Sequence, residues 1–156
     1  MGAEMIFIDI DGTLIDFCGT AKKFGIELEI NSFGKWKWGE APYPEPKDFY
    51  ANAELQPWFR DLIMEMPSQI AFVTKDYVHV KTAAIEKLSN DLGFEISRKF
   101  ILAQNKSTHC FNPIDFLIDD NAAECEAWRN KGGLAYHFDL ASDSPFENFL
   151  KYWRLK

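Results

Sequence analysis

Hydrophobic residues fall along this chain in short dense runs separated by longer stretches of helical spacing. The first run, at 5–10 (Met5, Ile6, Phe7, Ile8, Ile10), is nearly continuous instead of alternating, which marks a strand covered on both faces. Runs at 70–73, 100–103, 116–118 and 134–138 predict four more strands. Between them, Trp58, Phe59, Leu62, Ile63 and Met66 form a helical stripe bounded by Pro57 and Pro67. Val80, Ala84, Leu88 and Leu92 repeat that spacing over 77–92, with Gly93 as the stop. Asn121 can cap a helix running to about residue 130, with Gly132-Gly133 beyond its end. Ser144-Pro145-Phe146-Glu147 opens a last helix with a capping box and a proline in the first turn. Strands alternating with helices pair in parallel through right-handed crossovers. The pattern predicts a Rossmann-like three-layer α/β/α sandwich with a mostly parallel five-stranded sheet.

The stretch from about 17 to 48 has a different character, rich in Gly, Pro, Lys and Trp. Residues 26–30 alternate as a short strand would, and Pro42, Pro44 and Pro46 enforce an extended path. The expectation is a single domain over 1–156. Its core is 1–16 and 49–156, and a small cap insertion after the first strand covers about 17–48.

Ligands of open parallel sheets sit at the carboxyl ends of the strands. Asp9 and Asp11 follow the first predicted strand, Thr74 the second, Lys106 the third, and Asp119 with Asp120 the fourth. Residues two apart in extended chain face one side, so Asp9 and Asp11 can point at one spot if the strand persists. Gly12 lets the chain turn where the apolar pattern ends. Up to four carboxylates in one crevice would protonate or destabilise the fold without a cation. Hard divalent cations take oxygen ligands, and Mg²⁺ accepts one or two carboxylates together with waters and phosphate oxygens. Asp9, Asp11, Asp119 and Asp120 are therefore candidate Mg²⁺ ligands. Lys106, with Lys75 as a second candidate, offers positive charge to a phosphate, and Thr74 offers a hydroxyl beside backbone N–H groups.

Composition narrows the partners. A net charge of −7 argues against a long nucleic acid, which needs clustered Lys and Arg, but not against a small phosphorylated substrate met through a cation. No window approaches the length of a membrane span, and position 6 is Ile, so the myristoylation pattern fails. Three cysteines (Cys18, Cys110 and Cys125) without close pairs fit a reducing, cytoplasmic setting.

The order D-x-D-G-T-L (from Asp9), hydrophobic run and Thr74, Lys106, hydrophobic run and Asp119-Asp120 resembles the haloacid dehalogenase (HAD) superfamily of phosphohydrolases. The resemblance implies a covalent mechanism in which Asp9 attacks phosphorus to give an aspartyl-phosphate. Asp11 would protonate the leaving oxygen and then activate water. Thr74 and Lys106 would hold the phosphoryl group. Asp119 and Asp120 would complete the Mg²⁺ shell with Asp9 and the Asp11 carbonyl. Receiver domains also combine acids, Thr and Lys, but their acidic pair precedes a lone mid-chain Asp and no Asp-Asp follows the Lys.

The segment RKFILAQNKSTHCFNPIDFLIDDN is similar to the corresponding part of 5′(3′)-deoxyribonucleotidase-like members. That points to (deoxy)nucleoside monophosphates, with Phe17, Trp36 and Trp38 as candidates to stack on a base, although cap packing serves the tryptophans as well. The alternatives are another small phosphometabolite, a nucleic-acid 3′-phosphate, or a catalytically silent binding protein that keeps the fold. His109 beside Cys110 lacks a partner at zinc-site spacing and reads as loop or core.

Overall fold

The computed structural model describes residues 5–29, 36–56, 59, 63, 69–75, 78–92, 100–138 and 147. Five strands form one sheet: β1 (Ile6–Asp9), β2 (Ile70–Thr74), β3 (Phe100–Leu102), β4 (Phe116–Asp119) and β5 (Leu134–His137). Their order is β3-β2-β1-β4-β5, and every pairing is parallel. The chain steps outward from β1 through β2 to β3, then returns to the other side of β1 for β4 and β5. The order thus reverses between β1 and β4, where the carboxyl ends of the strands open a crevice.

Alternate residues of the strands feed two separate cores, which is why the runs are continuous. Ile6, Ile8, Phe72, Phe116 and Ile118 pack on one face, with Ala84 and Ile85 of α3 (Val78–Leu92). Phe7, Val73, Leu117 and Ala135 pack on the other face, with Cys125 and Trp128 of α4 (Ala122–Asn130). The predicted sandwich, its five strands and the two helices flanking the site are therefore present, with boundaries within one residue or two. Of the stripe predicted between Pro57 and Pro67, Phe59 and Ile63 are helical and buried; the rest lies outside the described residues. So do Gly93 and the predicted last helix, apart from Glu147, which is helical.

The stretch after β1 differs from expectation in its local structure. Its described residues include the helices α1 (Phe17–Lys22) and α2 (Pro46–Ala51), and residues 26–29 form no strand. Asp16 starts α1 by accepting the Gly19 N–H at 2.9 Å, a cap that the Gly-rich composition concealed. Pro46 occupies the first turn of α2, where its missing N–H costs nothing. Phe17, Ala21, Ile26, Phe49 and Tyr50 from this region join the same buried cluster as Ile6, Ile8 and Phe72.

Burial of β1 fixes the frame on which Asp9 sits. Ile8 is fully buried beside Phe72 and Ile118 in the register of its neighbours. Ile8→Ala should lower unfolding free energy by about 2–5 kcal/mol, read as a drop in the denaturant midpoint with an unchanged m-value.

Candidate active site

Register brings the acids together. Ile8 pairs with Ile118, so Asp9 and Asp119 stand side by side at the ends of β1 and β4, and Asp119 pairs with His137 on β5. Carboxylate oxygens of Asp9, Asp119 and Asp120 all lie within 4.8 Å of one another, a spacing that could hold a metal ion. Lys106 enters from a 3₁₀ turn (Lys106–His109) and is 3% exposed. Its Nζ donates to Asp9 Oδ1 at 2.6 Å and to Asp119 Oδ2 at 2.7 Å. Thr13 ties the two halves of the cluster. Its hydroxyl donates to Asp9 Oδ2 at 3.2 Å and accepts the Asp120 N–H at 3.1 Å.

Asp11 goes elsewhere. The strand ends at Asp9, and Gly12 follows with φ of 76°, so the two-residue alternation does not carry through to Asp11. Asp11 Oδ1 accepts the Tyr50 hydroxyl at 2.7 Å, and Oδ2 pairs with Lys81 Nζ at 2.8 Å. Lys81 is 1% exposed and also donates to Thr74 Oγ1 at 2.6 Å, which links the end of β2 to Asp11.

These groups line a pocket of about 620 Å³. Among the described residues, five carboxyls (Asp9, Asp11, Asp119, Asp120 and Glu124) face three ammonium groups (Lys75, Lys81 and Lys106) in its wall. With all five ionised, these described groups would carry two more negative than positive charges, a state that a divalent cation would favour. Lys75 pairs with Glu124 on α4, at the pocket's edge. Phe17, Trp36 and Trp38 do not line this pocket. They pack on one another and on Phe49, with Trp36 5.1 Å from Phe17 and Trp38 5.2 Å from Phe49. His109 and Cys110 also lie outside the pocket wall.

The electrostatics separate the acids. Burial alone would raise Asp9, but the adjacent Lys106 ammonium overrides it and holds the carboxyl below its ordinary value. Lys106 itself is raised: its two carboxylate partners outweigh the loss of water around it. Burial, and after it the charge of Asp9, pushes Asp119 up to about 7 and Asp120 up to about 10. Asp11 keeps 30% of its side chain exposed toward the pocket. Even so, loss of water around it, with a smaller push from the charge of Asp9, holds its carboxyl above the ordinary range, against the pull of Lys81 and Tyr50.

No protein-family model matches the chain, and no curated protein matches it. Solved structures do. One is an aspartate-to-alanine mutant of a HAD family enzyme from Bacteroides thetaiotaomicron, in complex with magnesium and inorganic phosphate. It matches at 12% identity and TM-score 0.54, over 96% of this chain and 99% of that one. The fold is that of the HAD family. A magnesium complex of that Bacteroides enzyme matches at 16% identity and TM-score 0.52, over 97% and 100% of the two chains. A structure described as a predicted HAD-like family hydrolase from Porphyromonas gingivalis matches at 14% and 0.54, over 98% and 99%.

Within this HAD fold, Lys81, Tyr50 and Thr13 are the site groups that sequence reasoning missed. Lys81 carried a usable signal: it lies one turn before Ile85, on the apolar face of its helix, where a lysine has no reason to be unless it is paired. Tyr50 gave none, because no helix was expected around it.

The raised carboxyls give a pH prediction. Folded-state values above the ordinary 3.8 mean stability that is full at acid pH and is lost as pH rises through about 7 for Asp119 and about 10 for Asp120. With chelator present, urea unfolding free energy should decline from about pH 5 to about pH 9, and Asp120→Asn should flatten that decline.

Proposed function

We propose that this protein is a Mg²⁺-dependent phosphomonoester hydrolase acting through an aspartyl-phosphate on Asp9. The observation that carries the reading is the meeting of Asp9, Asp119 and Asp120 within 4.8 Å beside buried Lys106, at the switch point of a HAD-fold sheet. One enzyme sharing that fold is described in two structures as a magnesium complex, in one of them also with inorganic phosphate.

Asp9, Asp119 and Asp120 would hold the cation, with the Asp11 backbone carbonyl. They fit it because their crowded oxygens carry charge that Lys106 only partly offsets. When bound, Mg²⁺ supplies charge neutralisation for the transferring phosphoryl group. Lys106 holds Asp9 ionised, as a nucleophile must be. An Asp9 oxygen bonds to phosphorus as the bond from phosphorus to the leaving oxygen breaks, and the Asp11 proton passes to that oxygen. In the second half, water bonds to phosphorus as the Asp9 linkage breaks, and Asp11 takes the water proton back. Thr74 and Lys106 bind phosphoryl oxygens, with Lys75 at the pocket edge. The segment 17–48 serves as the cap over a core of 1–16 and 49–156.

Two substrate readings remain in play. A nucleoside monophosphate follows from the similarity of the segment around Lys106 to deoxyribonucleotidase-like proteins, and would place Phe17, Trp36 and Trp38 near a base. The pocket wall favours another small, polar phosphate ester: apart from Ala122, the described lining side chains are charged or polar, and the three aromatics pack elsewhere.

A panel of nucleoside monophosphates, sugar phosphates and simple esters, assayed with and without Mg²⁺, tests both levels. Phosphate release should require Mg²⁺, vanish in Asp9→Asn and fall about 10²- to 10⁴-fold in Asp11→Asn. Absence of Mg²⁺-dependent release from every ester would overturn the hydrolase reading. The ranking of nucleotides against sugar phosphates decides the substrate class.

A further inference from the structure

The two aspartates of the first motif are separated by a clamp built from outside it. Tyr50 comes from α2 and Lys81 from α3, and each takes a different oxygen of Asp11, at 2.7 and 2.8 Å. Both clamp residues are themselves held. Lys81 lies deep in the pocket wall, donates to Thr74 Oγ1, and places its ammonium 5.5 Å from the centre of the Tyr50 ring. Tyr50 is fully buried, with Phe49 at 5.2 Å and Trp38 at 5.7 Å between ring centres. A single contact would leave the carboxylate free to swing about its side-chain bonds, while two contacts on opposite oxygens remove that freedom. The swing matters here, because a cation among Asp9, Asp119 and Asp120 would attract any further carboxylate within reach.

We propose that Tyr50 and Lys81 are positioning residues that hold the Asp11 carboxyl on the leaving-group side of the pocket, apart from the Asp9–Asp119–Asp120 cluster. This deepens the hydrolase reading and rests on it. The Trp38 and Phe49 rings then have a definite task, which is to seat Tyr50. The segment around them acts on the chemistry through that one hydroxyl, not through contact with substrate.

Proton donation separates this role from a structural one. A p-nitrophenolate leaves without help, whereas an alkoxide must be protonated, so in the transfer to Asp9 only alkyl esters depend on a well-placed Asp11. The later activation of water by Asp11 is common to both and does not enter kcat/KM. The experiment compares kcat/KM for p-nitrophenyl phosphate and for the best alkyl phosphate of the panel (glycerol phosphate, a sugar phosphate or a nucleoside monophosphate), with Mg²⁺, in the wild type, Tyr50→Phe, Lys81→Gln and Asp11→Asn. Tyr50→Phe keeps the ring and removes only the hydroxyl. The alkyl-to-aryl ratio should fall at least about tenfold in Tyr50→Phe and in Lys81→Gln, toward the value of Asp11→Asn. Lys81→Gln should also raise KM for both esters through its lost hold on Thr74. If both esters lose activity in proportion in the two clamp variants, or neither loses any, the positioning role is wrong while the hydrolase reading stands. A wild type that releases phosphate from no ester of the panel removes the hydrolase reading itself and the clamp with it.

Discussion

Lys106 sits between two carboxylates at the ends of adjacent strands, and the rest of the site depends on that bridge. Parallel pairing of β1 with β4 forces Asp9 and Asp119 side by side, where their charges repel in a poorly hydrated crevice. One ammonium, 2.6 and 2.7 Å from the pair, offsets much of that cost and keeps Asp9 ionised. It does not offset all of it. Asp119 and Asp120 are pushed toward holding protons, which a bound divalent cation would displace. A fold carrying this arrangement is poised to take up a divalent cation, which is the physical root of the proposed chemistry.

The same fold gives its two leading acids opposite surroundings. Asp9 ends a strand buried on both faces, and its oxygens are satisfied by Lys106 and Thr13. Two residues later the strand has ended, and Asp11 is turned toward helices α2 and α3. One carboxyl is held low and the other raised, the division of labour that a nucleophile and a proton donor require. A single left-handed residue, Gly12, is where their paths part.

Much of this was legible in the sequence because strands covered on both faces leave an unmistakable record. Continuous runs such as Ile6–Ile8 and Phe116–Ile118 marked the sheet, and polar residues at their carboxyl ends marked the crevice. The strand order and register that set Asp9 beside Asp119 were not legible in the sequence, because parallel pairing alone fixes neither. What stayed hidden depended on contacts between elements distant in the chain. Tyr50 reaches Asp11 across 39 positions from a helix that proline-rich composition disguised, and Thr13 meets the Asp120 N–H across 107. The tryptophans left two readings open, cap packing and base stacking. Their chemistry suits base stacking, yet Trp36 and Trp38 pack edge-on with each other at 5.4 Å, so ring chemistry alone does not say which surface a ring will cover.

A phosphoryl group carried by Asp9 is the centre of the proposed chemistry, and it can be caught directly. A mixture turning over a phosphate ester with Mg²⁺ would be quenched, reduced with borohydride, digested and mapped by mass spectrometry. The account predicts conversion of residue 9 to homoserine, absent without substrate and absent in Asp9→Asn. Phosphate release in the same mixture with residue 9 unchanged, or with the modification on another residue, would contradict it.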